Sequence, residues 1–346
     1  MTVPATLRAA VMTAVDTTVV ETRPVPALAP HEVLVEIRSV GVCGSDVHWY
    51  RDGRIGSTRV EDPLVLGHEA SGIIVGVGRD VSDARVGHRV ALEPGVPCGL
   101  CAQCRKGRYN LCPAVRFFAT PPIDGAFATH VAVASDFAHD VPDALDDDEA
   151  ALIEPLAVAL WAVRKAAVGI GDRVLVSGAG PVGLLVLQVA LAAGAEVCVS
   201  DVSAERLAVA ADLGASMTVD PRTESLPTDR TVLIECSGVA AATRTGIQAL
   251  EPAGRAVLVG MAADGEVTLP LDVLQSREIV LTGTFRYANQ YPDAIALAAS
   301  RRVNLRRLVT SAHPLGGVHD ALLLPGRNRS ALKPMVHPQQ DEMTTA

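Results

Sequence analysis

Cys98, Cys101, Cys104 and Cys112 stand in the spacing C-x2-C-x2-C-x7-C inside a loop that contains Gly and Pro. Four thiolates so placed can wrap round a divalent ion tetrahedrally. A closed four-sulfur shell leaves no position for a substrate, so the spacing predicts a structural zinc site. An iron–sulfur cluster or four free thiols are the other readings, and the absence of a second cysteine set in the sequence gives the cluster little support. A second constellation is scattered: Cys43 in Gly41-Val42-Cys43-Gly44-Ser45-Asp46-Val47-His48, His68 and Glu69 in Gly67-His68-Glu69, and Glu154 in Ile153-Glu154-Pro155. Singly, each has an ordinary explanation: a small core thiol, a hydrogen-bonded histidine, a carboxylate at a helix start. Spacing alone does not gather them into a metal site.

A third pattern is Gly178-Ala179-Gly180-Pro181-Val182-Gly183, which follows the apolar run Val174-Leu175-Val176 and precedes the helical stretch Leu184 to Ala193. Asp201 closes the next apolar run, near the distance expected of a ribose-binding acid. In such a fingerprint Gly178 permits the tight turn, Gly180 admits a pyrophosphate to the backbone, and Gly183 lets helix and strand pack closely. The helix N-terminus then faces the phosphates. Asp201 can accept hydrogen bonds from ribose hydroxyls and would repel a 2′-phosphate, which favours NAD over NADP. Arg206 works against that preference. The plain alternative is a strand-to-helix turn in another α/β fold.

These groups need a scaffold, and 346 residues suggest two lobes. Residues 1 to about 140 run in short apolar or alternating segments punctuated by Gly and Pro, which predicts a β-rich region. Asp146, Asp147, Asp148 and Glu149 then precede the apolar run Ala150 to Val163, as at a helix N-terminus. From Asp172 to about Thr284, β-branched runs alternate with helical stretches, the pattern of a parallel sheet covered on both faces. A helix is expected over Pro292 to Ser300 and a loose tail over Gln339 to Ala346. Val174 to Ala195 is uncharged and long enough for a bilayer, but Gly178, Gly180, Pro181 and Gly183 interrupt it. With a net charge of −9, nucleic acid is not an expected partner. Met1 to Ala10 shows no secretory pattern, so the expected address is the cytoplasm, with no membrane partner.

In this order, and across nearly the whole chain, the Gly41–His48 run, the Gly67-His68-Glu69 triplet, the four-cysteine lobe and the glycine fingerprint resemble the zinc-dependent medium-chain dehydrogenases. The resemblance implies a GroES-like β-rich catalytic domain interrupted by a Rossmann coenzyme domain with a doubly wound parallel sheet. The implied division is 1–154 plus 288–346 for the catalytic domain, its zinc lobe at 94–113, and 155–287 for the NAD-binding domain. Asp52-Gly53-Arg54-Ile55-Gly56, Phe117-Phe118-Ala119-Thr120-Pro121-Pro122, Glu154-Pro155-Leu156 and Phe285-Arg286-Tyr287-Ala288-Asn289 are similar to the polyol enzymes of the sorbitol and xylitol type. Alcohol dehydrogenases of the family usually carry a cysteine where Glu154 falls.

The resemblance further implies that Cys43, His68 and Glu69 hold a catalytic zinc, with Glu154 reaching it through a water or, alternatively, directly. It implies a small-molecule polyol as substrate, oxidised at a secondary hydroxyl, with hydride passing to NAD and zinc acting as Lewis acid. Ser45, His48 and Glu154 are candidates for carrying the proton away. Ser45, Glu154, Arg286 and Tyr287 are nominated for the substrate hydroxyls, with Phe117 or Phe118, together with Trp49 or Tyr50, walling the pocket. The family more often has tyrosine at position 49, so this chain departs there. Coenzyme contacts are implied for Val182, Asp201, Arg206, Val259, Gly260, Met261, Thr284, Phe285 and Arg286. A homotetramer is implied as well. Competing expectations are a zinc dehydrogenase for threonine, a simple alcohol or a sugar acid such as idonate, and a catalytically silent NAD-binding protein.

Overall fold

The β-rich and the α/β stretches of the sequence fold as separate units in the structure, a computed structural model that describes residues 3–262 and 265–340. One unit comprises Met1–Glu154 and Leu305–Ala346, the other Pro155–Asn304. The chain returns to the first unit at Leu305, where 288 was expected. The reason lies in the Tyr291–Ala299 helix. Arg164 donates to Gln290 Oε1 at 2.7 Å and to Asp293 Oδ2 at 2.6 Å, and the Asn304 N–H donates to Gln188 Oε1. The helix is therefore tied into the coenzyme unit.

At the centre of the first unit is the strand Glu32–Gly41, with Val33, Leu34, Val35, Ile37 and Val40 buried. Each such side chain contributes about 1.5–3 kcal/mol when withdrawn from water. The strand pairs antiparallel with Glu69–Val77, His130–Ala134 and Lys333–His337. Gly41 stands opposite both Glu69 and Met335, so three distant segments converge where this strand ends.

The acidic run starts a helix, as the sequence predicts. Asp146 Oδ1 accepts from the Glu149 N–H at 2.8 Å and Glu149 Oε2 accepts from the Asp146 N–H at 3.1 Å, a reciprocal cap for Asp147–Ala151. The same run ties this helix to the sheet. Asp148 Oδ1 accepts from Ser39 Oγ and pairs with His337 Nε2 at 2.7 Å, while Arg89 Nε donates to Asp147 Oδ1 at 2.9 Å. The apolar run that follows breaks at Leu152 and resumes as the helix Ile153–Lys165. Gln339, expected to be loose, is held: its Nε2 donates to the carbonyls of Ile37 and Thr129 at 3.1 and 2.7 Å. Gln340 is held too, with its N–H donating to the His337 carbonyl at 3.1 Å, and the remainder of the expected tail, 341–346, lies outside the described residues.

The second unit is a six-stranded parallel sheet in the order Met217–Val219, Glu196–Ser200, Arg173–Ser177, Arg230–Glu235, Leu250–Leu258, Val280–Gly283. This is the doubly wound Rossmann order, with the first strand in the middle and the direction of winding reversing beside it. Leu175, Cys198, Leu233, Ile247, Leu250 and Ala256 lie in its core. The long uncharged stretch resolves into the strand Arg173–Ser177 and the helix Pro181–Ala192. Among the described residues, no helix is long and apolar enough to cross a membrane.

Candidate metal centres and coenzyme site

The lobe carrying Cys98, Cys101, Cys104 and Cys112 brings all four sulfurs within 4.8 Å of one another. The short helix Ala102–Arg105 makes this possible, since it begins where the Cys104 N–H donates to Cys101 Sγ at 3.5 Å. Backbone N–H groups of Leu100 and Cys101 pull the Cys98 thiol down to about 6, whereas burial and the neighbouring Cys101 and Cys112 sulfurs push Cys104 up to about 12. Four thiols this close cannot all ionise without a cation among them. The donor set fits a closed zinc site.

Cys43, His68 and Glu69 also meet, with one donor atom of each within 4.8 Å of the others. Two elements place them. Cys43 caps the helix Gly44–Asp52, and Glu69 opens the strand Glu69–Val77 directly after His68. Asp46, fully buried, ties the two segments: Oδ2 accepts from the Cys43 N–H at 3.1 Å, and Oδ1 accepts from the Gly67 N–H at 3.0 Å and from His68 Nδ1 at 3.2 Å. A carboxylate in these contacts accepts, so His68 carries its proton on Nδ1 and leaves Nε2 free to ligate. Burial works against a charged imidazole here, but Asp46 and Cys43 outweigh it and raise the His68 pKa well above its usual value. Metal binding at Nε2 would displace the second proton of the charged ring and leave the one on Nδ1 with Asp46.

Glu69 is 1% exposed and faces the ammonium of Lys333, itself 2% exposed, with both carboxylate oxygens 2.7 Å from Nζ. Burial opposes the lysine's charge, but Glu69 and Cys43, with a smaller share from Glu154, raise its pKa. Removing one partner of such a buried pair costs about 3–5 kcal/mol. Glu154, 5% exposed at the first turn of its helix, thus lies in the electrostatic neighbourhood of this cluster without joining the three mutually close donors.

In the coenzyme unit the glycine loop follows the central strand. Gly178 has φ +96, a conformation that strongly favours glycine. A Cβ on Gly183 would collide with the Gly178 carbonyl, while one on Gly180, the helix N-cap, would meet nothing. Strand and helix therefore touch at Gly183, and the space over Gly180 is open to a phosphate. Asp201 follows directly on the strand Glu196–Ser200 and accepts from the Ala179 N–H at 2.6 Å and the Ser203 N–H at 2.8 Å, which binds it to the loop. Arg206 lies in the first turn of the helix Ala204–Asp212, and Val182 in that of Pro181–Ala192. Val259 and Gly260 leave the strand Leu250–Leu258 with both N–H groups donating to the Glu235 carbonyl, and Met261 beyond them is exposed. Thr284 Oγ1 is buried without a hydrogen-bond partner.

Residues 29–143 match the alcohol dehydrogenase GroES-like domain, and residues 181–300 match the zinc-binding dehydrogenase family. The chain is 40% identical to the sorbitol dehydrogenase of Bacillus subtilis over 98% of its own length and 99% of that protein's. This chain belongs to the zinc-dependent medium-chain dehydrogenases. Among solved structures, it superposes on L-idonate 5-dehydrogenase from Escherichia coli with a TM-score of 0.91, at 30% identity, covering 96% of this chain and 98% of that one. A zinc-binding dehydrogenase from Sinorhizobium meliloti bound to NADP superposes with a TM-score of 0.89 at 30% identity, covering 97% and 100%. Zinc and a nicotinamide cofactor accordingly belong to this dehydrogenase.

The remaining candidates fall in varied places. Ser45 Oγ is 3.4 Å from Cys43 Sγ. The His48 side chain is 63% exposed and pairs with Asp52 at 3.0 Å. Trp49 and Tyr50 both lie in the core of the first unit, where Tyr50 Oη contacts His319 Nδ1 at 2.6 Å and burial with Asp16 and Asp320 pushes its pKa up to about 12. Phe117 stands 5.7 Å from the His68 ring, centre to centre, and Phe118 is core. In the second unit, the Arg286 guanidinium lies over the half-exposed Phe285 ring, and buried Tyr287 packs on Tyr291.

Sequence reasoning singled out neither Asp46 nor Lys333, and it also passed over Arg222. Arg222 donates to the Val202 carbonyl at 2.7 Å, and the Asp201 carboxylate contributes to raising its pKa after the larger effect of Asp220. Two arginines thus accompany the acid that would meet the adenosine ribose. Hydrogen bonds to a charged group contribute about 1.5–3 kcal/mol, or roughly 10–100-fold. Asp201→Ala is expected to lower the ratio of kcat/KM for NAD to that for NADP by at least about tenfold. Steady-state rates with both coenzymes check this, and an unchanged ratio would remove Asp201 from coenzyme choice.

Proposed function

We propose that this enzyme oxidises a secondary hydroxyl of a polyol, of the sorbitol or xylitol type, to the ketose and reduces NAD. One zinc would sit at Cys43, His68 and Glu69 and a second in the four-cysteine lobe. The observation that carries the reading is the meeting of a half-buried sulfur with a buried imidazole and a buried carboxylate, with a further buried carboxylate, Glu154, acting electrostatically on the lysine that pairs with Glu69; the resemblance puts a cysteine at that position in simple alcohol dehydrogenases. The 40% identity to a sorbitol dehydrogenase along almost the whole chain supports it. NADP in a structural neighbour leaves the choice of NAD resting on Asp201. Family likeness likewise supports a homotetramer and a cytoplasmic address.

When bound, zinc supplies Lewis acidity at the substrate hydroxyl and the nicotinamide supplies a hydride acceptor. Asp46 fixes the His68 ring so that Nε2 points to the metal. Phe117, packed beside that ring, helps keep water away. Ser45, next to the Cys43 sulfur, would accept the substrate hydroxyl's proton as it hands its own to water. Glu154 orients the substrate by accepting a hydrogen bond from a hydroxyl or from an intervening water.

A panel of sorbitol, xylitol, threonine, idonate and ethanol, assayed with NAD and NADP, tests the assignment. The highest kcat/KM is expected for a polyol with NAD; a preference for idonate would establish the sugar-acid reading instead. Glu154→Gln, which removes the charge that accepts the substrate's hydrogen bond, is expected to cut kcat by about 10–100-fold while the Kd for NADH holds. Unchanged turnover would take Glu154 out of the mechanism.

A further inference from the structure

The third strand meeting at Gly41 brings a cation to the metal donors. Lys333 opens the strand Lys333–His337, and its Nζ donates to Glu69 Oε1 and Oε2 at 2.7 Å each and to the Val42 carbonyl at 3.0 Å. An ammonium has three donors and no acceptor, so this one is fully satisfied by three buried partners. The neighbouring Pro334 carbonyl accepts from the Val42 N–H at 3.0 Å. Both polar groups of the residue before Cys43 are therefore held by the same two residues of the returning chain. The fit is close. A Cβ on Gly41 would collide with Glu69 Oε2 and press on Lys333 Cδ.

We propose that Lys333 is a positioning residue for the Cys43–His68–Glu69 centre, fixing the Glu69 carboxylate and the Val42–Cys43 backbone in the arrangement that binds metal. The inference rests on the reading that these three residues hold the catalytic zinc. Charge and geometry predict opposite signs for the loss of Lys333. Removing a cation from beside a divalent ion should by Coulomb's law tighten its binding. Removing the group that orients a ligand should weaken it, commonly 10–100-fold. Three short contacts from one buried atom to two ligand-bearing segments make orientation the larger effect. A weaker site after substitution therefore points to positioning and not to direct repulsion of the ion by the ammonium.

The test measures zinc stoichiometry, zinc affinity by competition with a chromophoric chelator, and the cobalt(II) spectrum in the full-length wild type, K333M, G41A and H68A. The wild type should bind two zinc ions and H68A one. K333M should retain the four-cysteine zinc, bind the second about 10–100-fold more weakly, and show an altered cobalt(II) spectrum. Second-site affinity in K333M equal to or tighter than wild type would overturn the inference. Should K333M fail to fold, G41A decides by the same criterion, because it keeps both charged side chains while its Cβ forces Glu69 and Lys333 out of their contact. A wild type with one zinc, or an H68A variant with two, would instead sink the underlying assignment of the catalytic centre.

Discussion

His68→Ala is expected to release one of two zinc ions and to lower kcat/KM for the best polyol by at least about a thousandfold. Lewis-acid stabilisation is worth several kcal/mol at the transition state, and about 1.4 kcal/mol is a factor of ten in rate. Losing the imidazole removes the nitrogen donor from a set of only three mutually close ligands. The fold should survive, because Asp46 still accepts from the Cys43 and Gly67 backbone, so the loss falls on metal and rate. Metal analysis by mass spectrometry beside steady-state kinetics reads both effects. Two ions per chain and a rate within tenfold of wild type would show that the active centre lies elsewhere.

Asp46→Ala should damage the fold as well as the centre. The carboxylate is fully buried and accepts from Cys43 N, Gly67 N and His68 Nδ1. Truncation strands three donors away from solvent, and each unsatisfied buried group costs about 1–3 kcal/mol, for a total of roughly 3 kcal/mol or more. Denaturant unfolding of the zinc-depleted protein isolates this loss from the contribution of bound metal. Asp46→Asn, which keeps one acceptor oxygen but turns an amide toward the donors, should fall between. An Asp46→Ala midpoint equal to wild type would mean that water reaches these donors and that Asp46 is not the tie between the two ligand segments.

The legible parts of this molecule are those whose geometry is local. A four-cysteine loop is chelating by its own short spacing, and a glycine fingerprint is a turn whose steric needs involve near neighbours; Gly183 against Gly178 shows this directly. The acidic capping run is of the same kind. The scattered ligands were read together only through family likeness, since nothing in Cys43, His68 and Glu69 taken singly demands a partner. Other expectations failed where packing overrides pattern. The chain crosses back at Leu305 because Arg164 and Gln188 hold the intervening segment. Gln339 is anchored by two carbonyls that no tail composition reveals.

The sequence by itself determined a β-rich region, a doubly wound α/β region, a zinc lobe and a dinucleotide turn, because each follows from residue types over a few to a few tens of positions. Only the tertiary structure decided that Asp46 ties two ligand segments and that Lys333, 264 residues beyond Glu69, closes on it. Such contacts are set by sheet register. A strand's partner, and the side chain it delivers opposite Gly41, depends on the summed burial of the whole sheet and not on any local preference.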